Sequence, residues 1–361
     1  MTPPKNPKNL KRTLKVTALS VVGLLLAFLL VSFINHKIQT PKEFARLKDF
    51  DTGEIITIDG KNVNYKIFNP DQTDRTLVLM PGLNVQNLAL LFEPLAEKID
   101  ARIILINRPG YAFSEETGRD ASLEYIVEYH RKVLAALGIT EPVVLMPHSI
   151  SGIYAMYWAE KYPDEVDGII ALDVGSPELY LDEDYQNSSW LQDHFLNLAT
   201  KLGLHRFFML DEASRKLSAE TLVQTGHFSP ELAEAASTLG MANAYPDFVV
   251  SESTLNRQNA EEILRIRGKN YANTEKFFIM ADMFADDYFE TYMKASTLKT
   301  FGSNETAMNE YLEQYKEYRT KNQVTLSGKN AEFATVPGPH AIYEYPTADL
   351  ASKIKAFLSL L

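Results

Sequence analysis

The segment Val143-Val144-Leu145-Met146-Pro147-His148-Ser149-Ile150-Ser151-Gly152 sets a serine at a sharp break between an apolar run and a stretch of helical character. Strand, turn and helix in that order lift a hydroxyl clear of a sheet edge, where it can attack a carbonyl. An unassisted serine is a weak nucleophile at neutral pH, so it needs a base within hydrogen-bond reach and a third group to orient that base. The chain has no cysteine, which removes thiolate nucleophiles, disulfides and thiolate metal sites. Of seven histidines, His340 lies in a Gly/Pro loop, Val336-Pro337-Gly338-Pro339-His340-Ala341, beyond the last apolar run. It is the expected base. His148 is expected to pack, and His130, His194, His205 and His227 fall on helix-like segments away from such a loop.

Two carboxylates could orient the base. Asp173 ends Gly168-Ile169-Ile170-Ala171-Leu172, and Asp282 follows Phe277-Phe278-Ile279-Met280-Ala281. Both stand at strand ends between Ser149 and His340, so chain order leaves them open. Asp173 is preferred for its cleaner buried run and the tight turn Val174-Gly175-Ser176-Pro177, whereas Asp282 opens an acidic stretch with Asp286 and Asp287. A developing oxyanion needs donors fixed in advance. The expected pair is the N–H of Ile150, next after the serine, and that of Leu83 in Met80-Pro81-Gly82-Leu83-Asn84, where Gly82 lets the backbone approach closely.

These residues need a frame. Ile55–Ile58 and Val63–Ile67 flank Asp59-Gly60-Lys61-Asn62 and read as a hairpin. Then Thr76–Met80, Arg102–Ile106, Val143–Met146 and Gly168–Leu172 alternate with the helical stretches Leu88–Ile99, Leu123–Leu137 and Ile150–Lys161. Short apolar runs without in/out alternation indicate parallel strands covered on both faces. A mostly parallel α/β sheet with helices on both faces places its site at the carboxyl ends of the strands. From Ser176 to Thr274 the alternation stops. Apolar residues recur there at helical spacing in Leu191, Phe195, Leu198 and Leu202, and again in Leu232, Ala235 and Leu239. Lys276–Ala281 and Ala331–Val336 resume the strands, and a helix with Leu350, Ile354, Phe357 and Leu358 closes the chain.

The amino terminus is different in kind. Lys5, Lys8, Lys11, Arg12 and Lys15 carry no acid among them, and the uncharged run Val16–Ile34 that follows is long enough to cross a hydrocarbon core as a helix. Phe33-Ile34-Asn35-His36 offers no small-residue cleavage site, which favours an uncleaved anchor over a signal peptide. The basic flank predicts a cytoplasmic amino terminus and an extracytoplasmic domain in a single-pass cell-membrane protein. The expected organisation is a basic tail over 1–15, an anchor over 16–35, a tether over 36–50, a core over 51–175 and 273–361, and a helical cap over 176–272. With 47 acidic against 36 basic residues, a net charge of -11 argues against a nucleic-acid partner.

Together these pieces resemble the α/β-hydrolase fold superfamily over roughly Ile55 to Leu361. The elbow Pro147-His148-Ser149-Ile150-Ser151-Gly152 resembles G-H-S-x-G-G, Pro81-Gly82-Leu83 resembles the oxyanion turn H-G-x, and Arg108-Pro109-Gly110-Tyr111-Ala112-Phe113-Ser114 resembles R-P-G-x-G-x-S. Pro147, Ser151, Pro81 and Ala112 depart from those patterns without removing a reacting atom. The resemblance implies Ser149 as nucleophile, His340 as base, Leu83 and Ile150 as oxyanion donors, and a helical cap inserted after the sixth strand. Some members place the acid after the seventh strand, favouring Asp282; others place it after the sixth, favouring Asp173. The expected function is a membrane-anchored serine hydrolase cleaving an ester or similar acyl bond through an acyl-enzyme, with no metal or organic cofactor. Its expected partners are the lipid bilayer and an apolar acyl substrate, for which Trp190, Phe195, Phe207 and Phe208 could line a pocket. An iminopeptidase-like peptidase, an acyltransferase and a non-catalytic surface protein are the alternatives.

Overall fold

The computed structural model describes residues 7–182, 190–208, 211–285 and 288–361. Among these, eight strands form one sheet: β1 (Glu54–Ile58), β2 (Lys61–Phe68), β3 (Thr76–Met80), β4 (Arg102–Ile106), β5 (Val143–Pro147), β6 (Val166–Leu172), β7 (Glu275–Asp282) and β8 (Ala331–Pro337). Their spatial order is β1-β2-β4-β3-β5-β6-β7-β8; β2 is antiparallel to β1 and β4, and the remaining pairs are parallel. The first hairpin turns on Asp59 and Gly60, at φ of 52° and 76°, the two-residue geometry whose twist matches paired strands.

The helices are α1 (Pro7–Arg46), α2 (Leu88–Leu91), α3 (Glu93–Ala96), α4 (Leu123–Ala136), α5 (Ser151–Lys161), α6 (Trp190–Lys201), α7 (His205–Phe208), α8 (Glu212–Gln224), α9 (Pro230–Ala242), α10 (Asp247–Ile266), α11 (Lys269–Asn273), α12 (Lys294–Thr300), α13 (Glu305–Leu326) and α14 (Ala348–Leu358). Alternate residues of a strand face opposite sides of the sheet. Leu77 and Leu79, with Ile103 and Leu105, enter one core layer together with Leu90 of α2, Leu95 of α3 and Ile354 of α14. Val78 and Met80, with Ile104 and Ile106, enter the other beside Val133 of α4 and Ile153 of α5. With both faces covered, these strands are apolar at every position. Trp158 of α5 is fully enclosed, and its truncation to alanine costs about 3–5 kcal/mol.

Two elements differ from the sequence reading. The helix expected over Leu88–Ile99 is broken into α2 and α3, because Pro94 lacks the N–H that would continue the first turn into the second. The tether expected over 36–50 is helical as far as Arg46, running through Pro41. Arg206 stabilises this stretch by donating to Glu43 at 2.5 and 2.7 Å and to Thr40 at 2.9 Å. Just beyond its end, Leu47 is buried in the core. Helices α6 to α11 lie between β6 and β7, so the carboxyl ends of β3, β5 and β6 face a helical block.

Candidate active site

Ser149 stands between β5 and α5 at φ 55°, a left-handed conformation costing a non-glycine residue about 1–2 kcal/mol. Neighbouring backbone holds it there. His148 N–H donates to Met80 O at 3.0 Å and Ser149 N–H to Leu172 O at 3.3 Å, stitching the turn to the strands on either side. A Cβ on Gly152 would lie 2.7 Å from Val174 Cβ, and one on Gly82 would lie 2.5 Å from His148 Nδ1, so both positions need glycine. Pro147 fits because it is the last residue of its strand, paired with Met80, where the ladder stops needing donors. Ser151, in the other glycine position of the pattern, donates its hydroxyl to Pro81 O at 2.5 Å. The elbow and the Pro81-Gly82 turn are thereby tied together.

His340 Nε2 lies 2.9 Å from Ser149 Oγ, and its Nδ1 lies 2.7 Å from Asp173 Oδ2. Asp173 is fully buried, itself at φ 50°, and its Oδ1 accepts from Ala281 N–H at 2.8 Å. Arg319 of α13 donates to both carboxylate oxygens, to Oδ2 at 2.8 Å. Burial pushes the Asp173 carboxyl up, but the hydrogen bond with His340 and the Arg319 guanidinium outweigh it and hold the carboxyl below its ordinary value. Asp282, the alternative acid, is turned away. It is the last residue of β7, paired with Pro337, and its Oδ1 accepts from Phe284 N–H at 2.9 Å. The preference lies in strand order: β6 adjoins β5, whereas β7 is one strand further from the serine.

Leu83 and Ile150 both border the cavity above Ser149, and among the described residues neither N–H is taken by a protein acceptor. His148 is buried; its Nε2 donates to the His340 carbonyl at 3.1 Å. Burial, reinforced by the charge of His340, lowers His148 to about 3, so it stays neutral at working pH and steadies the His340 loop.

The supporting roles of several residues are not visible in the sequence. Arg108 and Glu252 are fully buried and paired at 2.8 Å. Arg108 also donates to Pro81 O at 2.7 Å, Gly82 O at 3.0 Å and Ser151 Oγ at 2.9 Å. Tyr111 OH donates to Glu252 at 2.5 Å and accepts Asn84 N–H at 2.8 Å. Burial pushes the Glu252 carboxyl up against the pull of Arg108. One ion pair thus spans from α10 to the turn bearing Leu83. Its signal in the sequence is a lone acid four residues after Phe248 on the buried face of α10. Arg319 has a weaker signal, since α13 is polar over most of its length.

The cavity holds about 620 Å³ and is lined by Val85, Leu91, Tyr180, Met241 and Tyr343, with Glu344 in its wall. Burial raises the Glu344 carboxyl to about 7, opposed by His340. Of the expected pocket aromatics, Phe195 and Phe207 are not among its described walls. Phe195 is 63% exposed and Phe207 44%, while the side chains of Trp190 and Phe208 lie outside the described residues.

A family model described as alpha/beta hydrolase fold matches residues 76–326. The chain belongs to the α/β-hydrolase fold family. The Bacillus subtilis (strain 168) protein YbdG is 36% identical over 202 residues, which are 55% of this chain and 61% of YbdG. The chain therefore spans less than two thirds of that relative's length. Among solved structures, a carboxylesterase of the thaumarchaeon Nitrososphaera gargenis superposes with a TM-score of 0.52 at 16% identity, covering 85% of this chain and 98% of its own. Cfl2 from Burkholderia cenocepacia gives 0.56 at 16% identity, covering 84% and 94%. At these identities the likeness is one of fold.

Proposed function

We propose that this α/β-hydrolase is a serine hydrolase that cleaves a carboxylic ester of an apolar acyl group through an acyl-enzyme. The observation that carries the reading is the continuous chain Ser149 Oγ–His340–Asp173, at 2.9 and 2.7 Å, built on a serine at φ 55°. His340 Nε2 takes the hydroxyl proton as Ser149 Oγ bonds to the carbonyl carbon. The oxyanion that forms accepts from the N–H groups of Leu83 and Ile150, which act as preorganised donors. Collapse breaks the C–O bond, and His340 returns the proton to the departing alcohol. Water then attacks the acyl-enzyme, His340 again taking a proton, and the acid leaves with Ser149 restored. Asp173 holds the imidazole tautomer and balances the imidazolium, and Arg319 keeps that carboxylate ionised and in place.

The apolar lining of the cavity supports an apolar acyl group. Membrane anchoring is part of the same proposal. Helix Arg12–Arg46 is long and apolar enough to cross a bilayer by length and composition, and only 6% of its most apolar stretch is buried against protein. The basic residues ahead of the span favour a cytoplasmic amino terminus. The test is turnover of aryl esters and proline-terminal arylamides by the detergent-solubilised full chain and its Ser149→Ala variant. Ester turnover lost in the variant supports the proposal; equal turnover by both proteins, or cleavage of arylamides alone, overturns it.

A further inference from the structure

The carboxyl-terminal half of α1 packs on the α6–α7 corner, and these contacts include residues of the apolar span. Ser32 is buried there, its hydroxyl donating to Leu202 O at 2.7 Å. Gly203, at φ 74°, approaches so closely that a Cβ would lie 2.5 Å from His36 Cβ and 2.7 Å from Ser32 O. The Phe28 and Phe207 rings meet at 5.6 Å, and those of His36 and His205 at 5.2 Å. Phe28, Ser32, His36, Thr40 and Glu43 form one stripe of α1 at helical spacing, and all five face the corner. Phe28 lies seven residues before Asn35, the last residue of the span, hence about 10 Å along the helix axis from its end. With α1 crossing a bilayer, the α6–α7 corner sits at a depth where interfacial helices bury their apolar faces, about 5–10 Å.

What this corner presents is apolar. Leu191, Phe195 and Leu198, spaced four and three residues apart along α6, are 71%, 63% and 55% exposed. Leu202, which receives the Ser32 hydroxyl, continues the same stripe towards α1. The opposite face of α6 does something else. Leu196, Ala199 and Thr200, with His205, line a second cavity of about 240 Å³, completed by Ala244 and Tyr245. That cavity and the one above Ser149 share Asn84 and Gly240 in their walls. The two cavities therefore adjoin at Asn84 and Gly240, one behind the exposed stripe and the other above the serine.

We propose that the outer flank of α6 and α7 is immersed in the lipid leaflet beside α1, and that the site draws a long-chain acyl ester from that leaflet along the cavity behind α6. This rests on the serine-hydrolase reading for the chemistry but not for the immersion. A large apolar stripe continuous with a membrane-spanning face has its natural occupant in the same lipid. Substrates already dissolved in the leaflet reach the serine without crossing water.

Two measurements on the full chain in phosphatidylcholine proteoliposomes test it. Because the chain has no cysteine, Phe195→Cys carries a single bimane label. Lipids bearing a shallow nitroxide are expected to quench that label several-fold more than a label at an exposed position of α14, Ser352→Cys. Equal quenching at both positions, as for a stripe covered by another protein or facing water, overturns the immersion. The second measurement compares the palmitoyl ester of methylumbelliferone dissolved in the vesicles with the water-soluble acetyl ester. In Phe195→Glu/Leu198→Glu the palmitoyl rate is expected to fall at least 10-fold while the acetyl rate stays within twofold. No change in either rate, or an equal fall in both, overturns the leaflet route. Acetyl turnover that survives Ser149→Ala sinks the serine-hydrolase reading separately, and leaves the quenching result to judge the immersion.

Discussion

Glu252→Gln is the perturbation that best exposes how the site is held. The substitution keeps the shape of the side chain and removes its charge. In the native protein the carboxylate pairs with Arg108 at 2.8 Å and accepts the hydroxyls of Tyr111 at 2.5 Å and Tyr154 at 3.0 Å, all out of contact with water. An amide can still accept from one donor, but it leaves a buried guanidinium without counter-charge. Removing one partner of such a pair costs about 3–5 kcal/mol. At about 2 °C per kcal/mol for a chain of this size, Tm should fall by roughly 6–10 °C. The effect also reaches the reaction. Arg108 and Tyr111 fix Gly82 O and Asn84 N–H on either side of Leu83, and displacement of positioning groups by about 1 Å costs on the order of 100-fold. Thermal unfolding and acetyl-ester kinetics of Glu252→Gln, Arg108→Met and the double variant make a complete cycle. The double variant should be less damaged than the sum of the singles, by about 2–3 kcal/mol. Strict additivity, or a Glu252→Gln protein with native Tm and rate, would refute the reasoning.

Three further outcomes follow from the same geometry. Asp173→Asn should lower ester kcat by about 10⁴-fold, as expected when the base loses its orienting carboxylate, whereas Asp282→Asn, whose amide oxygen can still accept the turn N–H of Phe284, should stay within twofold; steady-state kinetics of the pair decides. Glu344, raised to about 7 by burial, is neutral below that pH and places a charge in the cavity wall above it, so KM for an apolar ester should rise between pH 6 and 8. The stabilisation linked to this group is complete below the ordinary carboxylate range and is lost as pH rises through about 7, and Glu344→Gln should flatten both the KM profile and that stability loss. Ala112 sits at φ 48° where the family pattern has glycine, so Ala112→Gly, which keeps the backbone N–H donated to Gln86, should raise the denaturation midpoint by an amount equivalent to about 1 kcal/mol.

The sheet was legible because strands covered on both faces must be apolar at every position, and Thr76–Met80 or Val143–Met146 can hardly be read otherwise. The convergence of Ser149 and His340 was legible for a related reason: both follow parallel strands, and loops after such strands share one edge. Asp173 and Asp282 meet the same condition, and only the neighbour order of β5, β6 and β7 separates them. Long-range pairing was opaque. Arg319 reaches Asp173 across 146 residues and Glu252 reaches Arg108 across a similar distance, with no local pattern linking either pair. The break at Pro94 was visible in principle, since proline interrupts helical hydrogen bonding wherever it falls past the first turn. The helix through Pro41 was not, because contacts from Arg206 compensate for the lost bond. The outward turn of Phe195 was hidden too. Helical spacing says that a face is apolar, not whether protein or lipid covers it.

Whether Ser149 is the nucleophile can be read directly. The full chain is treated with a serine-directed fluorophosphonate, digested and analysed by mass spectrometry, alongside Ser149→Ala and His340→Gln. A single adduct on the peptide containing Ser149, absent in Ser149→Ala and formed at least 100-fold more slowly in His340→Gln, is the predicted result. An adduct of equal yield in Ser149→Ala, or one residing on another serine, would contradict it.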